Sequence, residues 1–432
     1  MSNSVLGREI MNNMSVKLSN HYIGGQVNTK QFELDEAISR KISQAIKQQR
    51  LAKNLTLEAI AKGICSLSYL SKIENMSIVA HTSYLEAICE RLDINFEELV
   101  KQHKQKDLKE ILKWYLYDYE DKINSLESIL ENPYYCANDG LVKIIFYLYK
   151  NNFPAVEKEI DLINDVKSTL TAEELNIFTL LATEYYIKTN QFRKIESNIS
   201  LLMNLAKNVS PFQALYYEQL FIVAYHLNIR HLLEYCLNIL KEERFINYPF
   251  WRLYKLQMMM LEIQSREKHN QSLIDLHNLT LDQSLNTFQD GIIYYQALIY
   301  LNNKLFKQAY ELLQSKEKLN AAEFTLLILC GYLSRQADYQ ELIAKAKSYT
   351  FSKYDSIHKK FLNYLVAKME GLSRFQLSQL LKYHLLPAND QSPIPLYSRI
   401  YLVELLNLGL KNSYQRLLKK NYSHINICFY LE

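Results

Sequence analysis

Residues 63–76 read GICSLSYLSKIENM. A glycine-containing turn gives way there to Leu67, Leu70 and Ile73, apolar residues three apart, a step that keeps side chains on one face of a helix. These three are expected to dock the segment on a core. Ser66, Ser68, Tyr69 and Lys72 then face outward near its N-terminal half. Short hydroxyls and a flexible cation can approach base edges and phosphates, and a helix N-terminus favours phosphate through its dipole. Ser66 is equally suited to cap the helix, and Tyr69 to pack against the helix that follows.

Upstream, AISRKISQAIKQQRLAK from Ala37 places Ile38, Ile42, Ala45, Ile46 and Leu51 on one stripe. TLEAIAKG follows as a short helix, with Thr56 as N-cap and Gly63 as its stop. Downstream come TSYLEAICERL, opening on a Thr82 cap, and NFEELV, capped by Asn95. Five short helices of this kind over residues 37–104, the second and third joined by a tight turn, predict a helix-turn-helix DNA-binding domain. Charge agrees with that expectation. Between Ala37 and Asn75, Arg40, Lys41, Lys47, Arg50, Lys53, Lys62 and Lys72 stand against Glu58 and Glu74, a local net of +5. From Thr82 to Val100 the net is −4, so one basic face is set in a chain whose total is only +4.

The stretch from IKQQRLAKNLTLEAIAKG to SYLSKIEN and ICERLDI resembles the phage-repressor type of helix-turn-helix found in many bacterial regulators. Leu57 stands where that type often carries a Gln that contacts DNA. Met76, and Ala80 or His81, stand where a Gly and a Pro commonly follow IEN. The candidate DNA contacts are Arg50, Thr56, Ser66, Ser68, Tyr69, Lys72 and Asn75.

The rest of the chain is expected to be helical. Nine Gly and seven Pro in 432 residues are few, and 48% of residues are hydrophobic, so helices joined by short turns account best for the composition. An all-α fold is predicted. Residues 1–36 are polar, carry Gly24 and Gly25 without a sustained period, and are expected to form a flexible arm; Met11 and Met14 offer later start sites. Six dispersed cysteines without a CxxC pair predict reduced, mostly buried thiols, and no zinc-ligand spacing is present. Neither a signal peptide nor an apolar run of about 18 residues occurs, which predicts a cytoplasmic protein without a membrane partner. With no phosphate-binding loop, HExxH or nucleophile elbow, the expectation is a binding protein without cofactor, metal or catalytic residues.

Residues 105–432 carry a degenerate repeat. ALIYLNNKLFKQAYELL, IIFYLYKNNFPAVEKEI and ATEYYIKTNQFRKIESNI share one outline of small, aromatic and apolar positions. Phe153, Phe192, Arg230, His269, Phe306, Tyr339, Phe375 and Tyr414 mark it at steps of 33 to 39 residues. With Tyr119 added, about nine hairpins are expected, near the 34-residue spacing of tetratricopeptide repeats. Stacked in a right-handed α-solenoid, they would expose a concave wall for an extended peptide or a protein partner. Candidate peptide contacts on it are Glu184, Lys188, Glu218, His226, Tyr254, Gln257, Tyr294, Asn302, Arg335 and Asn363.

A phage-repressor type reader followed by such hairpins resembles the bacterial peptide-pheromone receptors of the Rap, Rgg, NprR, PlcR and PrgX group, most nearly the NprR-like branch. The resemblance covers residues 37–432. It implies a homodimeric quorum-sensing transcription factor that binds a double-stranded DNA operator and is controlled by a short imported signalling peptide. The alternatives are a Rap-like regulator acting on a response-regulator protein, or a repeat scaffold with a vestigial reader.

Overall fold

The computed structural model describes residues 35–101, 107–130, 136–207, 212–242, 245, 247–267, 269–280, 291–335 and 338–421, and among them every regular element is helical. The predicted N-terminal arm lies outside the described residues up to position 34. The chain divides into two compact units, Met1–Ala182 and Thr183–Glu432.

The first unit opens with the five expected helices: α1 (Glu36–Ala52), α2 (Leu57–Ala61), α3 (Leu67–Glu74), α4 (Thr82–Arg91) and α5 (Phe96–Lys101). Ile42, Ile46, Ile60, Leu70, Ile73, Leu85, Ile88 and Leu99 form their shared core. Burial of these aliphatic side chains, each contributing roughly 1.5–3 kcal/mol, holds helices too short to persist alone. The ends are capped. Asp35 accepts from Ala37 N, Thr56 from Ala59 N, Ser66 from Tyr69 N and Asn95 from Glu98 N.

Three expectations need correction. Leu51 is 37% exposed and Leu67 49% exposed. Leu51 lies five residues past Ile46, roughly 140° further round the helix, so it leaves the buried stripe. Leu67 is the first residue of α3 and projects beyond the core layer. The cap of α4 is His81, whose ring nitrogen accepts from Ser83 N, rather than Thr82.

After the reader come α6 (Leu108–Leu116), α7 (Glu120–Asn124), α8 (Ala137–Tyr149) and α9 (Phe153–Asp165), then a 3-10 turn at Lys167–Thr169 and α10 (Ala172–Lys188). The compact unit runs on past residue 105, to Ala182. The polar face of α1 is buried against residues 137–169. Gln44, 1% exposed, donates through Nε2 to Thr169 Oγ1 at 2.9 Å and accepts Ala137 N–H at 2.9 Å. That amide caps the first turn of α8, whose own N-cap residue Cys136 makes no side-chain cap bond. Gln48 Nε2 donates to Leu162 O at 2.6 Å, and Ser168 Oγ to Asn75 Oδ1 at 3.0 Å. Replacing Gln44 by Ala leaves the Ala137 amide without its acceptor, and should cost about 1–3 kcal/mol in chemical denaturation of the full chain; a loss below a few tenths would count against the joint.

The second unit is built from antiparallel helix pairs. Its helices begin with α11 (Phe192–Glu196), α12 (Ile199–Lys207), α13 (Gln213–Leu227), α14 (Arg230–Leu240), α15 (Phe250–Ser265) and α16 (His269–Thr280). Then follow α17 (Ile292–Asn302), α18 (Phe306–Gln314), α19 (Ala321–Ser334), α20 (Tyr339–Ser348) and α21 (Ser356–Met369). The array ends in α22 (Arg374–Leu380), α23 (Leu386–Gln391), α24 (Pro395–Asn407) and α25 (Lys411–Asn421). Six of the repeat markers fall in one place, whereas Phe375 is the second residue of α22 and Tyr414 the fourth of α25. Phe153, Phe192, Arg230, His269, Phe306 and Tyr339 are each the first residue of the second helix of a pair. Two residues earlier, Asn151, Asn190, Asn228 and Lys304 adopt positive φ, as does Gly409 before α25. A left-handed residue ends the first helix and returns the chain antiparallel, and asparagine and glycine take that conformation at least cost.

First helices pack side by side in the order α13, α15, α17, α19, α21. The last of them, α24, returns to α13, and α23 to α11. Arg399 on α24 donates to Glu262 Oε1 on α15 at 3.1 Å and to Asn302 Oδ1 on α17 at 3.0 Å. Buried tyrosines line the seam: Tyr397 stacks on Phe361 at 4.1 Å and bonds His358 Nδ1 at 2.7 Å, and Tyr225 donates to Glu262 at 2.9 Å. Among the described residues no helix is long and apolar enough to cross a membrane.

Candidate functional site

Helix α3 is held from behind and bare in front. Leu70 and Ile73 are buried, whereas Ser66, Leu67, Ser68 and Lys72 are exposed. Ser66 serves as the cap, with Tyr69 N donating to its Oγ at 3.2 Å. Ser68 and Lys72 make no hydrogen bond or ion pair through their side chains among the described residues. The exposed strip of two hydroxyls, one leucyl side chain and one ammonium is chemically suited to a DNA groove. Hydroxyls read either donors or acceptors, an apolar group meets the thymine methyl, and a lysine takes phosphate or guanine. Leu67 was not among the residues expected to face DNA; its spacing from Leu70 matched the core stripe and masked it.

Other expected contacts are committed within the fold. Arg50 makes a two-pronged pair with Glu74, Nε to Oε1 at 2.6 Å and Nη2 to Oε2 at 2.8 Å, and donates through Nη1 to Leu55 O at 3.0 Å. The hydrogen bond to Glu74 raises the guanidinium pKa above its ordinary value. Arg50 therefore clamps α1 to α3, in place of the expected phosphate contact. Thr56 is exposed and caps α2. Tyr69 is half-buried and meets Tyr84 of α4 edge-on, ring centroids 5.2 Å apart, so the packing alternative describes it rather than base reading. Asn75 bonds Ser71 O through Nδ2, and its Oδ1 accepts from Lys47 Nζ at 3.2 Å and Ser168 Oγ at 3.0 Å. It is a joint instead of a free DNA contact.

The basic face is thinner than the sequence suggested. Arg40 pairs with Glu36, Arg50 with Glu74 and Lys53 with Asp93, while Lys41 is buried. Lys62 and Lys72 remain exposed and without an ion pair among the described residues. Replacing Lys72 by Ala should weaken duplex DNA binding several-fold and reduce the slope of log affinity against log salt by about 0.9 for each phosphate no longer neutralised. Ser68→Ala should instead alter preference among duplex sequences at unchanged slope. Both are read by fluorescence anisotropy across a salt series.

In the second unit, the projected ligand residues separate into a cluster and a covered group. Glu184 on α10 accepts from Gln219 Nε2 at 3.1 Å, and Glu218 on α13 pairs with Arg252 on α15 at 2.8 Å. Lys188 and Lys255 join these charges, and burial lowers the pKa of both ammonium groups from the ordinary value. Gln257 and Tyr294 are half-buried. The covered group departs from expectation. His226 stacks on Phe192 with centroids 3.7 Å apart and donates through Nδ1 to Pro393 O at 3.2 Å. Burial holds its imidazole down to about 3. Asn302, wholly buried, donates to Glu262 and Ser265. Tyr254, 2% exposed, donates to Leu279 O. These three are occupied because the closing hairpin at 386–407 covers the seam or, for Tyr254, because the ring packs inside its own hairpin. Arg335 and Asn363 are exposed, at the end of α19 and on α21.

The described cysteines are unbridged; Cys89, Cys136, Cys236 and Cys330 are buried and Cys65 is half-buried. Burial pushes the Cys89 and Cys236 thiols up to about 12. Among the described residues no group of His, Cys, Asp and Glu is placed to hold a metal ion.

Comparison with known families places the reader. Residues 46–99 match a helix-turn-helix family model. That span runs from the middle of α1 to Leu99 of α5 and contains the whole exposed strip of α3. No curated protein and no solved structure matches the chain.

Proposed function

We propose that the chain is a DNA-binding transcriptional regulator whose activity is set by a short signalling peptide bound to the repeats of its second unit. The DNA-binding half of this reading rests on one observation: the helix-turn-helix match at 46–99 coincides with a third helix that exposes Ser66, Leu67, Ser68 and Lys72. The peptide half is supported by the likeness of the repeat spacing to tetratricopeptide arrays and by the mixed charges of Glu184, Lys188, Glu218, Arg252 and Lys255. Paired signs on neighbouring first helices suit the termini and side chains of an extended peptide. In a homodimer two readers meet two half-sites separated by whole DNA turns. Peptide acts by favouring one arrangement of the hairpins over another, since a ligand with equal affinity for both would shift nothing.

The test is an anisotropy titration of the full-length protein on the DNA upstream of its own gene, with and without extract of the producing culture. Selective, salt-sensitive binding that the extract alters supports both halves. Selective binding indifferent to extract removes the peptide half and leaves a regulator answering to a protein partner. Binding without selectivity or salt dependence removes the first half.

A further inference from the structure

The five-helix reader does not stand alone within the first unit. Three bonds tie residues 162–169 to it: Gln48 to Leu162 O at 2.6 Å, Gln44 to Thr169 Oγ1 at 2.9 Å, and Ser168 Oγ to Asn75 Oδ1 at 3.0 Å. Asn75 is the C-cap of α3, so the last bond sets the 3-10 turn directly beside the end of the groove-facing helix. Lys167, next to Ser168, is exposed and makes no ion pair among the described residues. A helix lying in a major groove about 12 Å wide has phosphates at its ends as well as along its flanks, within reach of an exposed cation next to a residue bonded to the helix end. At that end the reader itself supplies Lys72, in the last turn of α3, and Lys47, whose Nζ bonds the C-cap Asn75. Arg40, Arg50 and Lys53 are neutralised by carboxylates.

We propose that the turn Lys167–Thr169, from the segment that follows the reader, is part of the DNA interface, with Lys167 contacting a backbone phosphate at the C-terminal end of α3. The contact positions the reader and carries no sequence information. The buried Gln44 bridge gives it a second consequence. Because the turn and α1 share hydrogen bonds, the reader meets DNA together with α8 and α9 as one body rather than on a loose tether.

This inference rests on the DNA-binding reading, and the experiment separates the two. Full-length wild type, Lys72→Ala, Lys167→Ala, Lys167→Arg and the double alanine variant are titrated on a labelled random-sequence duplex across a salt series. Lys167→Ala should bind several-fold more weakly with a slope smaller by about 0.9, as for one phosphate left without its cation. Lys167→Arg should restore both, and the double variant should show the two effects together. A purely structural lysine would leave the slope alone. Wild-type affinity and slope in Lys167→Ala, beside clear weakening in Lys72→Ala, would overturn the inference and leave the DNA-binding reading standing. No salt-dependent binding by the wild type would overturn both.

Discussion

Replacing Arg50 by alanine is expected to destabilise the reader by about 3–5 kcal/mol, because it strands the Glu74 carboxylate in the interior. The Glu74 side chain is 3% exposed and that of Arg50 12%, so solvent screens the pair little. The loss follows from the missing partner more than from the worth of the pair. Arg50→Met combined with Glu74→Leu should recover most of it, since neither charge is then left alone. Denaturant titration of the full chain, with amide exchange in α2 and α3 as the local readout, would measure it. DNA affinity will also fall in Arg50→Ala, but in proportion to the unfolded fraction and at unchanged salt slope. A stable variant with a flattened slope would instead return Arg50 to the phosphate.

The second large effect lies at Glu262. This fully buried carboxylate receives Arg266, Arg399 and Asn302 at once, and it joins α15, α17 and α24. Burial by itself would raise its pKa; the two guanidiniums and their hydrogen bonds outweigh burial and hold it down to about 2. Glu262→Ala should cost about 3–5 kcal/mol in the second unit, because two guanidiniums lose their counter-charge. The pH dependence has a defined sign. A carboxyl depressed in the folded state contributes stability that is present above its unfolded pKa of about 4.3 and is lost as pH falls through that value towards 2. His226 and His358 add to acid lability at higher pH: burial holds them down to about 3 and about 4, so the unfolded chain takes up protons first as pH drops below about 6.5. Acid titration of wild type against Glu262→Gln should show the variant less stable near neutrality and with a shallower loss below about pH 4. Equal slopes for the two proteins would exclude the carboxylate as the source.

Much of the architecture is legible in the chain itself. Hydrophobic spacing and cap residues located the five reader helices to within a residue or two, as Thr56 and Asn95 show. The markers from Phe153 to Tyr339 located the second helices of the hairpins, and before Phe153, Phe192, Arg230 and Phe306 the turn chemistry is local: an Asn, or at α18 a Lys, two positions earlier takes the left-handed conformation. The outward placement of Ser68 and Lys72 followed from the same helical period.

What could not be read were the partners of polar side chains. Arg50, Tyr69 and Asn75 carry the residue types of DNA contacts, yet Glu74, Tyr84 and Ser168 satisfy them. His226 and Asn302 fall on the first helices where ligand contacts were expected, yet Pro393 and Glu262 hold them. A period places a side chain on a face of its own helix; it does not say what will cover that face. The polar side of α1, with Gln44 and Gln48, has the composition of a solvated face, and residues 137–169 close over it. Sequence thus determined the helices, their order and their turns, which depend on neighbours a few positions apart. Only the tertiary structure decided which charges remain for DNA and which are paired inside the fold, because a hydrogen bond between residues 44 and 169, or 262 and 399, depends on packing that no local pattern encodes.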